Sequence, residues 1–154
     1  MIVDMADFPS VDACPARVCE DRVKSCDVYV GIYGLRYGSP VRDRPEVSYT
    51  ELEFDTATVQ RMPRLLFVLD RGSPDHRLPP DALVDREFGQ RQDAFLRKVQ
   101  HSGAGLTVQR FRNPDHLQTL VERSLAKLAE SQGLDNAGRS EQAIPACKIG
   151  RAHV

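Results

Sequence analysis

The chain has 154 residues, with 21 Lys and Arg against 22 Asp and Glu, a net charge of −1 and a pI near 6.4. That length favours one domain, and the balanced charge provides neither a basic field for nucleic acid nor a polybasic patch for a membrane surface. No apolar run approaches the roughly 18 to 20 residues that span a bilayer, and no basic, then apolar, leader opens the chain, so a soluble cytoplasmic protein is expected.

In chain order, residues 2–5 (Ile-Val-Asp-Met) are expected to form a short strand and residues 6–13 a loop punctuated by Pro9. Pro15 suits the first turn of a helix, which Arg17 to Ser25 continues. Val18, Cys19, Arg22, Val23 and Cys26 give it an approximately helical stripe. Val28-Tyr-Val-Gly-Ile32 is almost wholly apolar, the pattern of a central parallel strand covered on both faces. Residues 34–47, with Gly38, Pro40 and Pro45, read as a loop. A helix is expected from Tyr49 to Arg61 with Ser48 as N-cap, and Pro63 punctuates its end. Leu65 to Leu69 is a second buried strand.

Residues 70–85 carry three prolines and read as a long polar loop. Glu87 to His101 is expected to be a helix with Phe88, Phe95, Leu96 and Val99 inward. Leu106 to Phe111 is an alternating strand. Asn113-Pro114 opens a last helix whose apolar face is Leu117, Leu120, Val121, Ser124, Leu125 and Leu128. The order β-α-β-α-β-α-β-α implies an α/β fold with helices on both faces of a mostly parallel sheet. Residues 1–131 form the expected domain and 132–147 a polar linker to a downstream region. Residues 149–154 read back, through one codon choice, as ATC GGA AGA GCA CAC GTC, which resembles the start of a sequencing adapter. Lys148 fits the junction codon. Residues 148–154 are therefore expected to be an adapter-derived tail, and His153 is not counted among candidate ligands.

No metal site is expected. The cysteines at 14, 19, 26 and 147 form no C-x-x-C, and no His stands at finger-like spacing from a Cys pair. Cys19 and Cys26 read as small apolar packing residues. The glycines at 31, 34 and 38 do not form the dinucleotide fingerprint, and no triphosphate P-loop or nucleophile elbow is present. The candidate ligand-binding residues are Gly31, Tyr33, Gly34, Arg36, Tyr37, Gly38 and Ser39, in the loop after the first central strand, together with Ser48. In open α/β sheets ligands bind at such loops. The glycines could equally serve turns, the tyrosines cover the sheet, and Arg36 be a solvated cation. Ser48-x-x-Glu51 matches a capping box, in which the Glu side chain reaches back to the N-cap amide. Glu53, one turn further in, is either a first-turn acid that complements the helix dipole or a carboxylate that stabilises a positively charged sugar.

Met5-Ala-Asp-Phe-Pro9, Cys26-Asp-Val-Tyr-Val-Gly31, Arg36-Tyr-Gly-Ser39, Ser48-Tyr-Thr-Glu-Leu-Glu-Phe54 and Pro63 before the Leu65 strand, with Phe95-Leu96 and the Pro114 helix, together resemble the domain-of-unknown-function family numbered 4062. The resemblance covers about residues 1 to 131. It implies a three-layer α-β-α fold, TIR-like or flavodoxin-like, similar to the nucleoside deoxyribosyltransferases. It further implies a module at the front of a larger protein, with downstream NTPase (NACHT) or repeat domains and self-association as its partners. Through the glutamate ten residues before the proline, it implies a role for Glu53 in N-glycosidic bond cleavage, with Glu51 as the capping partner and NAD or a nucleotide as the ligand. Two departures stand out. Arg61 occupies the place of a C-cap glycine. The family's opening strand, with its Phe-Ile-Ser-Ser-Thr-like start, has no match. Residues 1–5 are thus expected to be the second strand, with the first strand and helix missing and little catalysis from the chain as it stands.

Overall fold

The computed structural model describes residues 16–102, 108–131 and 146–148. Helix α1 (Ala16–Lys24) leads to strand β1 (Val28–Tyr33) and a small hairpin of β2 (Pro40–Val41) and β3 (Arg44–Ser48). Helix α2 (Tyr49–Val59), strand β4 (Arg64–Leu69), helix α3 (Gly89–His101), strand β5 (Val108–Phe111) and helix α4 (Pro114–Ser131) follow, with a short strand β6 (Ala146–Lys148) last. The expected strand over 2–5, the loop over 6–13, Cys14, Pro15, the start of the 106–111 strand, residues 132–145 and the 149–154 tail lie outside the described residues.

The main sheet has the order β5-β4-β1-β6, and every pairing in it is parallel. Strand β1 is interior, with Val30 opposite Leu65 of β4 on one side and Tyr29 opposite Cys147 of β6 on the other. Its side chains alternate between two cores, as the strand period requires. Tyr29 and Tyr33 join Phe54 and Ala57 of α2 and Phe95, Leu96 and Val99 of α3 on one face. Val28 and Val30 join Phe67, Leu69 and Phe111 on the other, against Leu117, Leu120, Val121 and Leu128 of α4. The fold is therefore an α-β-α sandwich on a parallel sheet.

Three local differences from the sequence reading have physical causes. Residues 34–47 include a hairpin, Val41 facing Arg44, which its two-residue strand and charged turn concealed. The tip of that hairpin is used: the Ala16 amide at the start of α1 donates to Asp43 Oδ1 at 2.9 Å, and Arg44 reaches Glu20 at 2.7 Å. Residues 70–85 hold two short 3-10 turns, at Pro74–His76 and Pro80–Leu83. Leu125 is 38% exposed, because 100° per residue carries it to the rim of the arc centred on Ser124 and Leu128.

The end of α2 resolves the question posed by Arg61. Gln60 is the C-cap, and Arg61 takes φ +53°, the left-handed conformation usually given to glycine. The Met62 amide donates to the Ala57 carbonyl at 3.1 Å and the Arg61 amide to Thr58 at 3.0 Å, the paired bonds of a Schellman motif. Arg61 thus bears a steric cost that glycine would not. Arg61→Gly is expected to stabilise the protein by about 0.5–1 kcal/mol, the relief net of glycine's extra unfolded-state entropy. A urea unfolding midpoint checks this, and an unchanged or lower midpoint would refute it.

Candidate functional site

The loop after β1 and the start of α2 meet at Tyr37. Gly38, at φ +91°, turns the chain there, and a Cβ on it would come within 3.1 Å of Thr50 Oγ1. Tyr37 is 1% exposed, and its ring lies against Phe88 and Phe95. Its hydroxyl accepts from the Ser48 amide at 3.3 Å and donates to Glu51. Ser48 is the N-cap and its Oγ accepts from the Glu51 amide at 3.2 Å. One half of the expected capping box is therefore direct. The other half runs through the phenol: Tyr37, rather than the Glu51 carboxylate, satisfies the Ser48 amide. Burial, followed by the hydrogen bond to Glu51, pushes the Tyr37 phenol up to about 12.

Glu51 also receives Lys98 Nζ of α3 at 3.0 Å, and the same ammonium reaches Asp55 Oδ1 at 2.6 Å. Burial alone would lower the Lys98 ammonium, but Asp55 and Glu51 together raise it. These contacts tie α2 to α3. Glu51 is thereby committed to holding elements together.

Glu53 points elsewhere. It is 3% exposed, in the seam between α2 and α1, where Cys19 Sγ donates to its Oε1 at 3.6 Å. The phenols of Tyr29 and Tyr33 lie close enough to feel its charge. They bond each other at 3.0 Å, above Gly31, whose missing side chain leaves them the room. Burial first, then for Tyr29 the neighbouring phenol and Glu53, holds both phenols far above the ordinary tyrosine range. The result is a buried thiol, carboxylate and phenol cluster. Sequence reading singled out Glu53 but assigned no part in it to Cys19 or Tyr29, because only the packing of α1 on α2 and β1 brings them together.

The remaining loop residues are placed as follows. Tyr33 is 1% exposed and stacks edge-on against Phe54 and Phe95. Gly34 is buried, and its carbonyl accepts from Gln92 Nε2 of α3 at 3.0 Å. Ser39 is exposed, and its carbonyl accepts from the Tyr49 amide at 3.1 Å. Arg36 is exposed, 3.9 Å from Asp85. Asp85 itself escaped sequence reading. It is 9% exposed; Oδ2 accepts from the Tyr37 amide at 3.0 Å, and Oδ1 accepts from the Glu87 and Phe88 amides at 3.1 and 3.0 Å. Its position just ahead of a helical pattern was the available signal. Among the described residues no group of three His, Cys, Asp or Glu is placed to hold a metal ion, and no helix is long and apolar enough to cross a membrane.

A family model described as a domain of unknown function (DUF4062) matches residues 1–126. No curated protein and no solved structure matches the chain.

Proposed function

The chain belongs to the DUF4062 family, and from that premise we propose that it works as a signalling or regulatory protein-interaction module, the front domain of a larger multidomain protein. Its fold is TIR-like in this reading. Its partners are downstream NTPase or repeat domains of the same polypeptide, and other copies of itself. The observation that carries the reading is the burial of Glu53. A carboxylate that stabilises a ribosyl cation must touch the sugar, whereas Glu53 is 3% exposed and engaged with Cys19 between two helices. The loop after β1 supports the same view, because Leu35 and Tyr37 are 2% and 1% exposed and anchor it to the core.

The competing reading is an N-glycosidase acting on NAD or a nucleoside through Glu53. Its observation is that Glu53 is a buried carboxylate grouped with the Cys19 thiol and the Tyr29 and Tyr33 phenols, a cluster of polar groups of the kind found at functional sites. Incubating the wild-type chain and Glu53→Gln with NAD and with nucleosides separates the two. The module reading expects no cleavage above the buffer rate in either form, together with concentration-dependent self-association by light scattering. Turnover by the wild type that Glu53→Gln abolishes would replace it with the enzyme.

A further inference from the structure

A second site lies away from Glu53. At the carboxyl end of β4 a cleft of about 280 Å³ opens between the Asp70–Gly72 turn, the outer strand β5 and α3. Its floor is Val68, Leu69 and Leu96. Three arginines from three separate segments line it: Arg71 from the turn, Arg97 from α3 and Arg110 from β5. The register explains the last, since Arg110 stands opposite Val68. Both carboxylates of the cleft are already engaged. Asp93 pairs with Arg71 at 3.3 Å, and Asp70 Oδ1 accepts from the Gly72 amide at 3.1 Å. Arg97 and Arg110 are exposed and have no carboxylate partner among the described residues.

We propose that this cleft binds the phosphate group of a small phosphate monoester. The three arginines exceed the two carboxylates of the cleft by one charge, and an anion there would offset that excess. Planar guanidinium forks match the several oxygens of a phosphate, while a single carboxylate would be matched by one fork alone. The volume is below the usual range for enclosing a cofactor-sized ligand but ample for a phosphate group with its first attached carbon atoms. The cleft also lies outside the carboxyl end of a sheet strand, the side on which open parallel sheets bind ligands, although the strand order does not reverse there. The inference does not rest on the module reading, because neither Glu53 nor any residue of the loop after β1 lines the cleft.

The test is calorimetric titration of the full chain with inorganic phosphate and with ribose 5-phosphate, ionic strength held constant with chloride. Both ligands are expected to saturate, the monoester at least as tightly as the free ion. Arg97→Gln/Arg110→Gln is expected to weaken both by about tenfold or more, with the ligand-free melting temperature unchanged. Arg86→Gln/Arg123→Gln, which removes as much exposed charge outside the cleft, is expected to leave the affinities alone. The assignment is overturned by a titration that does not saturate, by monoester binding weaker than that of phosphate, or by equal losses in the two double variants.

Discussion

Asp85→Ala is expected to destabilise the protein by about 3 kcal/mol at neutral pH, and Asp85→Asn by clearly less. The carboxylate is nearly buried and accepts three backbone amides. Hydrogen bonds to a charged group contribute about 1.5–3 kcal/mol each to stability, less the cost of taking the charge out of water. Alanine orphans all three amides. Asparagine keeps one oxygen for Glu87 and Phe88, so the local turn into α3 survives, but it turns an NH2 group toward the Tyr37 amide and breaks the link to the loop after β1. Comparing the two substitutions separates the local contribution from the long-range one.

The pH dependence follows with a definite sign. Burial pushes the Asp85 carboxyl up, but the Phe88, Tyr37 and Glu87 amides and the nearby Arg36 outweigh it, leaving the group below its usual range. A depressed folded-state value adds stability above the unfolded value of about 3.9 and loses it as pH falls through the folded one. The gap between wild type and Asp85→Asn is therefore expected to be full at pH 7 and to shrink below about pH 4. Urea denaturation at the two pH values checks it. A gap that stays constant would show that the carboxylate charge plays no part.

Gly31→Ala is expected to cost about 3 kcal/mol, against the gain of up to about 1 kcal/mol that alanine usually brings to a strand interior. A Cβ at this position would stand 2.3 Å from the Tyr33 hydroxyl oxygen and 3.0 Å from Tyr29 Cε1. A flexible side chain would simply move, but Tyr33 has little freedom to do so. It is 1% exposed, its hydroxyl is bonded to Tyr29, and its ring meets Phe95 at 5.2 Å between centroids. Displacing it disturbs the aromatic core shared by α2 and α3. Gly31→Ala in a Tyr33→Leu background is then expected to cost much less than in the wild type, because the clash has been removed beforehand. Additive costs in the double variant, measured by denaturant midpoints, would locate the cause of any destabilisation elsewhere.

The layers of the fold were legible because hydrophobic period is a local property. The unbroken apolar run around Val30 marked an interior strand, and Leu65 to Leu69 marked its neighbour. The i, i+3, i+4 stripe on α4 marked a helix lying on a sheet. Ser48 announced the start of α2 through its own short side chain, and Pro63 the end of that helix. The hairpin at 40–48 was not legible: its strands are too short for alternation to register, and Asp43 acquires its role only from α1, 27 residues earlier. The capping box was half legible. Ser48 and Glu51 stand at the expected spacing, but the phenol that completes their network comes from Tyr37, 14 residues before Glu51.

The sequence by itself determined the parallel α/β class, the run of central strands and the helix boundaries near Ser48, Pro63 and Pro114, since each rests on residues within a turn or two of one another. Only the tertiary structure decided what the charged and polar groups do. Glu51 and Glu53 are two residues apart in one helix, yet the first joins Tyr37 and Lys98 toward α3 and the second meets Cys19 within the seam with α1. The same holds for Asp85, which looked like loop solvation and anchors the Tyr37 amide, and for Arg97 and Arg110, which share a cleft across a sheet edge. The physical reason is range. Backbone preference and apolar period act between near neighbours in the chain. The energy of a buried charge or a convergent set of donors depends on partners that only the folded chain brings within a few ångströms.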